Sequence, residues 1–177
     1  MANFVYIATS VDGFIADRNG DISWLDELPV PEGEDMGYEG FMARIDALLM
    51  GRKTYEKVLS FGIEWPYAKK VFVLSSTLTQ VDAGLEGRVE IIQGQPEDVT
   101  SRLARQGYKN LYIDGGKVIQ GFLAANLIDE MIITRVPIVL GSGIPLFDGS
   151  SEVSLRLEHR STEVYGNEYV KSHYVRR

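Results

Sequence analysis

Leu111-Tyr112-Ile113-Asp114-Gly115-Gly116-Lys117-Val118-Ile119-Gln120-Gly121-Phe122-Leu123 decides how the rest of this chain is read. Leu111 to Ile113 read as the end of a buried strand, while Val118, Ile119, Phe122 and Leu123 recur at helical spacing. Asp114-Gly115-Gly116 breaks the run between them. A strand that passes through two glycines into a helix leaves bare backbone N–H groups at a helix amino end. That end carries partial positive charge and suits a phosphate. Glycine also lets a ligand come close to the backbone. The same residues are equally compatible with a tight turn that holds nothing, so the flanking sequence has to decide.

Two earlier strand ends repeat the arrangement. Ala47 to Met50 is a short apolar strand followed by Gly51-Arg52-Lys53-Thr54-Tyr55 and a helix through about Leu59. Lys70 to Leu74 is another, ending in Ser75-Ser76-Thr77. In an open α/β sheet, ligands bind beyond the carboxyl ends of the strands. Arg52, Lys53 and Lys117 add cations there, and Thr54, Ser75 and Ser76 add hydroxyls. Cations in the first turn of a helix oppose its dipole, which argues for an anion to offset them. Three such ends together point to a dinucleotide, although no Gly-x-Gly-x-x-Gly follows a strand.

Asn3 to Thr9 reads as a buried first strand, and Asp12-Gly13 as a sharp bend that returns Phe14 and Ile15 to the core. A polar turn at Asp17 to Asp21 precedes Ile22-Ser23-Trp24-Leu25. Asp26 to Gly37 is acidic, carries Pro29, Pro31 and Gly33, and reads as a mobile surface loop. Tyr38, Phe41, Met42 and Ile45 have helical spacing, Val89 to Ile92 is a further strand, and Pro96 suits the first position of a helix presenting Val99 and Leu103 inward. Ile128 to Leu140 reads as one long strand bent at Pro137, followed by a glycine-rich loop from Gly141 to Phe147. Leu155 and Leu157 alternate with polar residues, and Gly166-Asn167 is a hairpin turn signal between Val164 and Tyr169. Alternating strands and helices closed by a hairpin predict a single α/β domain over residues 1–177, with a mostly parallel sheet and an antiparallel edge.

The chain has 177 residues, 45% of them apolar, and a formal net charge of −7, which argues against nucleic acid or an anionic membrane as partner. It has no cysteine, so disulfides, thiol catalysis and Cys-ligated zinc are excluded. His159 and His173 have no ligand cluster around them, and no metal is expected. The start Met-Ala-Asn-Phe-Val-Tyr has no basic n-region, and Met131 to Leu140 is too short to span a bilayer. Cytoplasm is the default location. The apolar Met131 to Leu140 is more than one exposed sheet edge should carry, which predicts a homodimer; the other reading is that this strand is simply internal to the sheet.

Ile7-Ala8, Asp12-Gly13-Phe14-Ile15, Trp24, Met50-Gly51-Arg52-Lys53-Thr54-Tyr55, Leu74-Ser75-Ser76 and Ile113 to Val118 together resemble the dihydrofolate reductase superfamily over nearly the whole chain. The resemblance implies a three-layer α/β fold and an NADPH site. Ala8 and Ile15 would line the nicotinamide pocket and Ile22 would sit on the loop closing over it. Gly51, Arg52, Lys53 and Thr54 would hold phosphates. Leu74, Ser75 and Ser76 would lie at the adenosine 2′-phosphate, and Gly115, Gly116, Lys117 and Val118 would form the pyrophosphate turn. Trp24 and Thr134 would meet a small-molecule substrate. The C-terminal half, from Asp114 through Gly121 to Glu130 and from Pro137 to Phe147, resembles the reductase domain of the bifunctional riboflavin-biosynthesis deaminase/reductase. That domain reduces the ribosyl chain of an aminouracil phosphate, and such reductases pair. Folate enzymes usually carry a third glycine where Asp114 stands and an acid on the helix after the mobile loop. Glu32, Asp35 and Glu39 lie near that place, but none aligns without a gap. Three readings follow: an NADPH-dependent pyrimidine reductase with Asp114 as catalytic acid, a dihydrofolate reductase, and an NADPH-binding module without turnover. Asp114 itself has two readings, a turn-shaping carboxylate that accepts backbone N–H bonds and a substrate-facing acid.

Overall fold

The computed structural model describes residues 1–27, 33–149, 154–166 and 168–177. Pro29, Pro31, Glu32 and Asn167 lie outside the described residues. The strands are β1 (Ala2–Thr9), β2 (Phe14–Ala16), β3 (Ala47–Gly51), β4 (Lys70–Leu74), β5 (Val89–Ile92), β6 (Asn110–Asp114), β7 (Glu130–Arg135), β8 (Ile144–Pro145), β9 (Leu157–Tyr165) and β10 (Tyr169–Arg176). The helices are α1 (Tyr38–Ala43), α2 (Arg52–Ser60), α3 (Pro96–Arg105) and α4 (Gly116–Ala124), with a 3₁₀ turn at Ser23–Asp26.

Eight strands form one sheet in the order β5-β4-β3-β6-β1-β7-β10-β9. The first six are parallel to one another, and β10 runs antiparallel between β7 and β9. Side chains alternate across each strand, which divides the core. Val5, Leu49, Leu111, Ile113 and Met131 pack against Val99 and Leu103 of α3 and Val118, Ile119 and Phe122 of α4. Phe4, Leu48, Met50 and Tyr112 pack against Phe41 of α1 and Tyr55 and Val58 of α2. Helices therefore cover both faces, which is the three-layer arrangement expected of this sequence. Strands buried on both faces read as continuous apolar runs, and Ala47 to Met50 is fully buried for that reason.

Two expectations need correction. The strand predicted from Ile128 to Leu140 is only Glu130–Arg135. After Arg135 the chain leaves the ladder one residue before Pro137, which has no N–H to donate. Val136 and Ile138 stay apolar because they pack under Trp24, not because they extend a strand. Nor is the strand an exposed edge: β7 lies between β1 and β10 and Met131 is fully buried, so the apolar character of Glu130–Arg135 is core and the edge motive for a dimer falls, although Val139 beyond the strand is 70% exposed. The glycine-rich loop contains β8, which pairs with β2 outside the main sheet. No helix among the described residues is long and apolar enough to cross a membrane.

Candidate functional site

Strands β3 and β6 are neighbours, with Met50 opposite Asp114. After β3 the chain turns into α2 on one face of the sheet, and after β6 into α4 on the other. A parallel sheet opens a crevice where successive helices leave to opposite sides. Gly51-Arg52 and Asp114-Gly115 form the two lips of that crevice.

Neither α2 nor α4 has a side-chain cap at its amino end, and neither has an acid in its first turn. Helix α3 differs, since Glu97 and Asp98 in its first turn already offset its dipole. The first turns of α2 and α4 instead hold Arg52, Lys53 and Lys117. Lys53 is exposed, and Lys117 is 88% exposed with only a loose contact to Asp148 at 3.8 Å. These are bare N–H groups plus cations, the set an anion needs. Beside them lies an open groove of about 490 Å³ lined by Arg52, Leu74, Ser76, Thr77 and Gln93. Arg52 reaches it while donating to Glu56 at 2.9 Å across one helical turn. Ser76 is exposed, but Ser75 is buried and its Oγ accepts the N–H groups of Thr77 and Leu78 at 3.2 and 3.0 Å. Ser75 shapes the turn after β4, and Ser76 is the free hydroxyl.

The glycines have a reason the sequence did not disclose. Gly115 has φ +88°, and a Cβ there would run into Thr54 Oγ1. A Cβ on Gly116 would lie 2.8 Å from Ile15 Cδ1 and 3.4 Å from Ile144 Cγ2. One on Gly51 would lie 3.2 Å from Val118 Cγ2. The space beside these Cα atoms is filled by protein. Glycine is required so that the two lips and the β2–β8 ribbon can pack together, and any ligand meets the helix ends from outside that contact.

The other side of the crevice is aromatic. Asp114 follows Tyr112 on the face of β6 that looks toward α1, and it is half-buried. Tyr38, Tyr67 and Tyr112 lie within electrostatic reach of its carboxylate, and burial first, then this charge, raises their phenol pKa values. Tyr112 donates to the carbonyl of Tyr6 at 2.8 Å, and Tyr6 donates to the carbonyl of Met36 at 2.9 Å. Lys171 of β10 donates to the same Met36 carbonyl at 2.8 Å. Met36 and Gly37 are both left-handed, at φ 54° and 81°, and Asp35 accepts the N–H groups of Gly37 and Glu39 at 2.7 Å. This pinned corner fixes the start of α1 and holds Tyr38 opposite Asp114. Asp35 is thereby committed to the backbone, and Glu39 is exposed, so neither is a free acid in the recess.

Asp114 Oδ1 accepts the N–H of Gly115 at 2.8 Å, which is the turn-shaping role. Burial outweighs that bond and pushes the carboxyl up to about 6. A carboxyl poised there can hold a proton near neutral pH and release it. Ala8 of β1 pairs with Thr134 of β7, and both lie on the same face as Asp114. Thr134 Oγ1 and Trp24 Nε1 are buried without a hydrogen-bond partner. Buried polar atoms usually find a partner, and these two, both beside Ala8, could find one in a bound molecule. Trp24 packs with Val136 and Tyr169 against Ala8.

The loop that carries Ile22 and Trp24 is held at both ends. Asp17 accepts the N–H groups of Asn19 and Asp21, and Asp21 takes Lys57 of α2 at 3.0 Å. Asp12 accepts Leu140 and Gly141 N–H groups at 3.2 and 2.7 Å and ties the chain after β7 to the bend before β2. Tyr67, Tyr112, Lys57 and Lys171 carry no motif, and sequence reasoning missed them. Period-two parity on the strands could have put Tyr112 beside Asp114, but only the fold brings Tyr67 there. No group of three or more His, Asp or Glu able to hold a metal occurs among the described residues.

Comparison with known proteins adds one finding of family and three of form. The family described as the RibD C-terminal domain matches residues 4–171. The crystal structure of a candidate riboflavin biosynthesis protein from Shewanella sp. PV-4 is 48% identical, covers 100% of this chain and 99% of its own, and superposes with a TM-score of 0.95. A diaminohydroxyphosphoribosylaminopyrimidine deaminase/5-amino-6-(5-phosphoribosylamino)uracil reductase from Thermotoga maritima is 16% identical, with a TM-score of 0.75 over 99% of this chain and 56% of that one. Dihydrofolate reductase from Enterococcus faecalis, solved with NADP(H), is 17% identical with a TM-score of 0.65 over 99% and 96% of the two chains. The last two are likenesses of fold, and they place the three-layer architecture in the dihydrofolate-reductase-like group.

Proposed function

The chain belongs to the RibD C-terminal domain family, and from that we propose that it is an NADPH-dependent reductase of the pyrimidine-reductase type. One observation carries the reading: two uncapped, cation-bearing helix ends and a half-buried carboxyl meet at a single crevice of the sheet. Bound NADPH would supply the hydride. The N–H groups of α2 and α4, with Lys53 and Lys117, fit its pyrophosphate, and Arg52 with Ser76 fits the 2′-phosphate. Ala8, Ile15 and Ile22 line the route from that turn toward Trp24. Thr134 and Trp24 offer the substrate a hydroxyl and an indole N–H, and Asp114 gives the proton that balances hydride transfer. Closing the loop from Gly20 to Trp24 excludes water from the reacting carbons.

Within this reading the family substrate, 5-amino-6-(5-phosphoribosylamino)uracil, is the first compound to assay, and dihydrofolate the second. Loss of nicotinamide absorbance on mixing protein, NADPH and the aminouracil is the expected result. Rapid turnover of dihydrofolate with none of the aminouracil would move the chain to the folate branch. NADPH binding with no oxidation by either would favour a binding module. A cytoplasmic homodimer is part of the proposal, the pairing now resting on the resemblance alone. Light scattering that returns the 19.8 kDa monomer at micromolar concentration would remove it.

A further inference from the structure

Lys171 is turned inward. Its side chain is 11% exposed, although lysine is rarely this buried and its stem usually carries the ammonium out to water. On β10 it is registered opposite Thr134 of β7 and Glu163 of β9, so it stands on the same face of the sheet as Thr134, one strand farther out. Its ammonium donates to the Tyr165 hydroxyl at 2.6 Å and to the Met36 carbonyl at 2.8 Å, and pairs with Glu163 at 3.0 Å. Tyr165 in turn donates to Glu163. Burial lowers the pKa of the ammonium, but the bonds to Tyr165 and Glu163 outweigh it and hold the group above the usual lysine range, so its charge is constant at neutral pH. An ammonium has three protons, and all three are used. Glu163 and Tyr165 lie on the same hairpin as Lys171 and suffice to satisfy the charge. The bond to Met36 leaves the hairpin for a carbonyl 135 residues earlier.

That carbonyl belongs to a strained corner. Met36 and Asn126 are the two non-glycine residues with positive φ among the described residues, and side chains hold such a conformation only where the surroundings fix it. The Met36 carbonyl also accepts the Tyr6 hydroxyl at 2.9 Å, so donors from β1 and β10 converge on one atom. Gly37 follows at φ 81°, and a Cβ there would lie 3.1 Å from Lys171 Nζ, so the ammonium occupies the space beside the corner. Helix α1 starts at the next residue, Tyr38, and has no side-chain cap to fix its own start. Tyr38 meets the Tyr6 ring edge to face at 5.5 Å, and Phe41 lies 4.9 Å from the same ring. Whatever holds Met36 therefore also sets where Tyr38 stands, within electrostatic reach of Asp114.

We infer that Lys171 is a positioning residue for the substrate side of the site: with the Tyr6 hydroxyl it holds the Met36–Gly37 corner, and through that corner it keeps Tyr38 on the wall opposite Asp114. The C-terminal hairpin is then an arm of the site as well as the end of the sheet. The kinetic half of the inference rests on the reductase reading. Lys171 has no proton to spare for a ligand and lies away from the helix ends that fit the cofactor, so its loss falls on the handling of the substrate and spares NADPH.

Amide hydrogen exchange and steady-state kinetics of Lys171→Met, Tyr6→Phe and Glu163→Gln test this. In the unliganded protein, Lys171→Met speeds exchange over residues 37–43 by about tenfold or more and leaves α2 and α4 at wild-type rates. With NADPH and 5-amino-6-(5-phosphoribosylamino)uracil, its kcat/KM for the aminouracil falls by about tenfold, while KM for NADPH stays within about twofold. Tyr6→Phe, which keeps the ring and deletes the other donor to Met36, reproduces both effects and carries the test if Lys171→Met does not fold. Glu163→Gln weakens the ion pair within the hairpin, leaves the bond to Met36, and stays within about twofold of wild type. Unchanged exchange over residues 37–43 in Lys171→Met would overturn the inference, as would a loss confined to NADPH. Equal losses in Glu163→Gln and Lys171→Met would reduce the lysine to a hairpin residue and overturn it too. A wild-type protein that oxidises no NADPH with the aminouracil would instead overturn the reductase reading, and the exchange rates alone would then decide whether Lys171 holds the corner.

Discussion

Asp114 is where a single side chain makes two opposed predictions. Its carboxyl titrates near 6 in the fold against the usual 3.8, so the native state binds more protons than the unfolded chain between those values. Stability from this group therefore falls as pH rises through that window and stays low above it. Asp114→Asn removes the desolvated charge. It should raise stability at pH 7.5 by about 2 kcal/mol, discounted from roughly 1.4 kcal/mol per unit for the solvent that reaches the group. That is a gain of roughly 5 °C in Tm by calorimetry, and close to none at pH 4. Turnover should move the other way, falling by about 10²-fold, the scale of a lost general acid. The wild-type rate should decline above pH 6 as the acid ionises, and the mutant should lose that limb. A loss of Tm at pH 7.5 with unchanged turnover would leave Asp114 as a turn residue only. Arg52 is the counterpart on the cofactor side. Its bond to Glu56 is exposed and easily exchanged, so Arg52→Ala should weaken NADPH binding by about tenfold, the value of one charge-assisted bond, and NADH binding less. Equal losses in a fluorescence titration would remove Arg52 from the 2′-phosphate.

Elements show what the sequence could and could not disclose. Strand β6, the Gly115-Gly116 turn and helix α4 were readable because an apolar run, a break and a 3.6-residue period follow each other without ambiguity. Strand β7 was over-extended because Val136 and Ile138 look like more strand, and burial under Trp24 leaves the same apolar signature as a ladder. The glycines were assigned to the right turn for an incomplete reason, since contacts with Thr54 and Ile15 depend on elements more than fifty residues away. Gly115→Ala should therefore cost about 2–4 kcal/mol, combining a left-handed backbone with a clash against the α2 lip. Pairing it with Thr54→Ala should recover part of that loss, which denaturant unfolding can measure. No recovery would mean that the backbone conformation alone accounts for the cost. The Asp21–Lys57 pair is the equivalent device for the loop. Lys57→Met should leave NADPH affinity intact and change kcat more than KM, because it touches the element that closes rather than the groups that bind. A change confined to cofactor affinity would contradict this.

Across the whole molecule, the proposed site is assembled from β1, β2, β6, β7, α1, α2 and α4, the end of β4 and the loop that carries Trp24. Parity along the strands decided most of the outcome: Ala8, Thr134 and Asp114 share a face because each lies an even number of residues from a core residue on that side. Motifs drew attention to the proposed phosphate side, since helix ends and cations are adjacent in sequence. They marked the aromatic side poorly, since Tyr38, Tyr67 and Tyr112 come from three separate segments and look like ordinary core residues. On the reductase reading these pieces form one cofactor-dependent site, and equilibrium titration of the purified protein with NADPH and NADH, read by fluorescence, tests that assembly. NADPH should bind saturably and one-to-one in the micromolar range or tighter, at least tenfold more strongly than NADH and more weakly as salt rises. No binding of either nucleotide, or a preference for NADH, would contradict it.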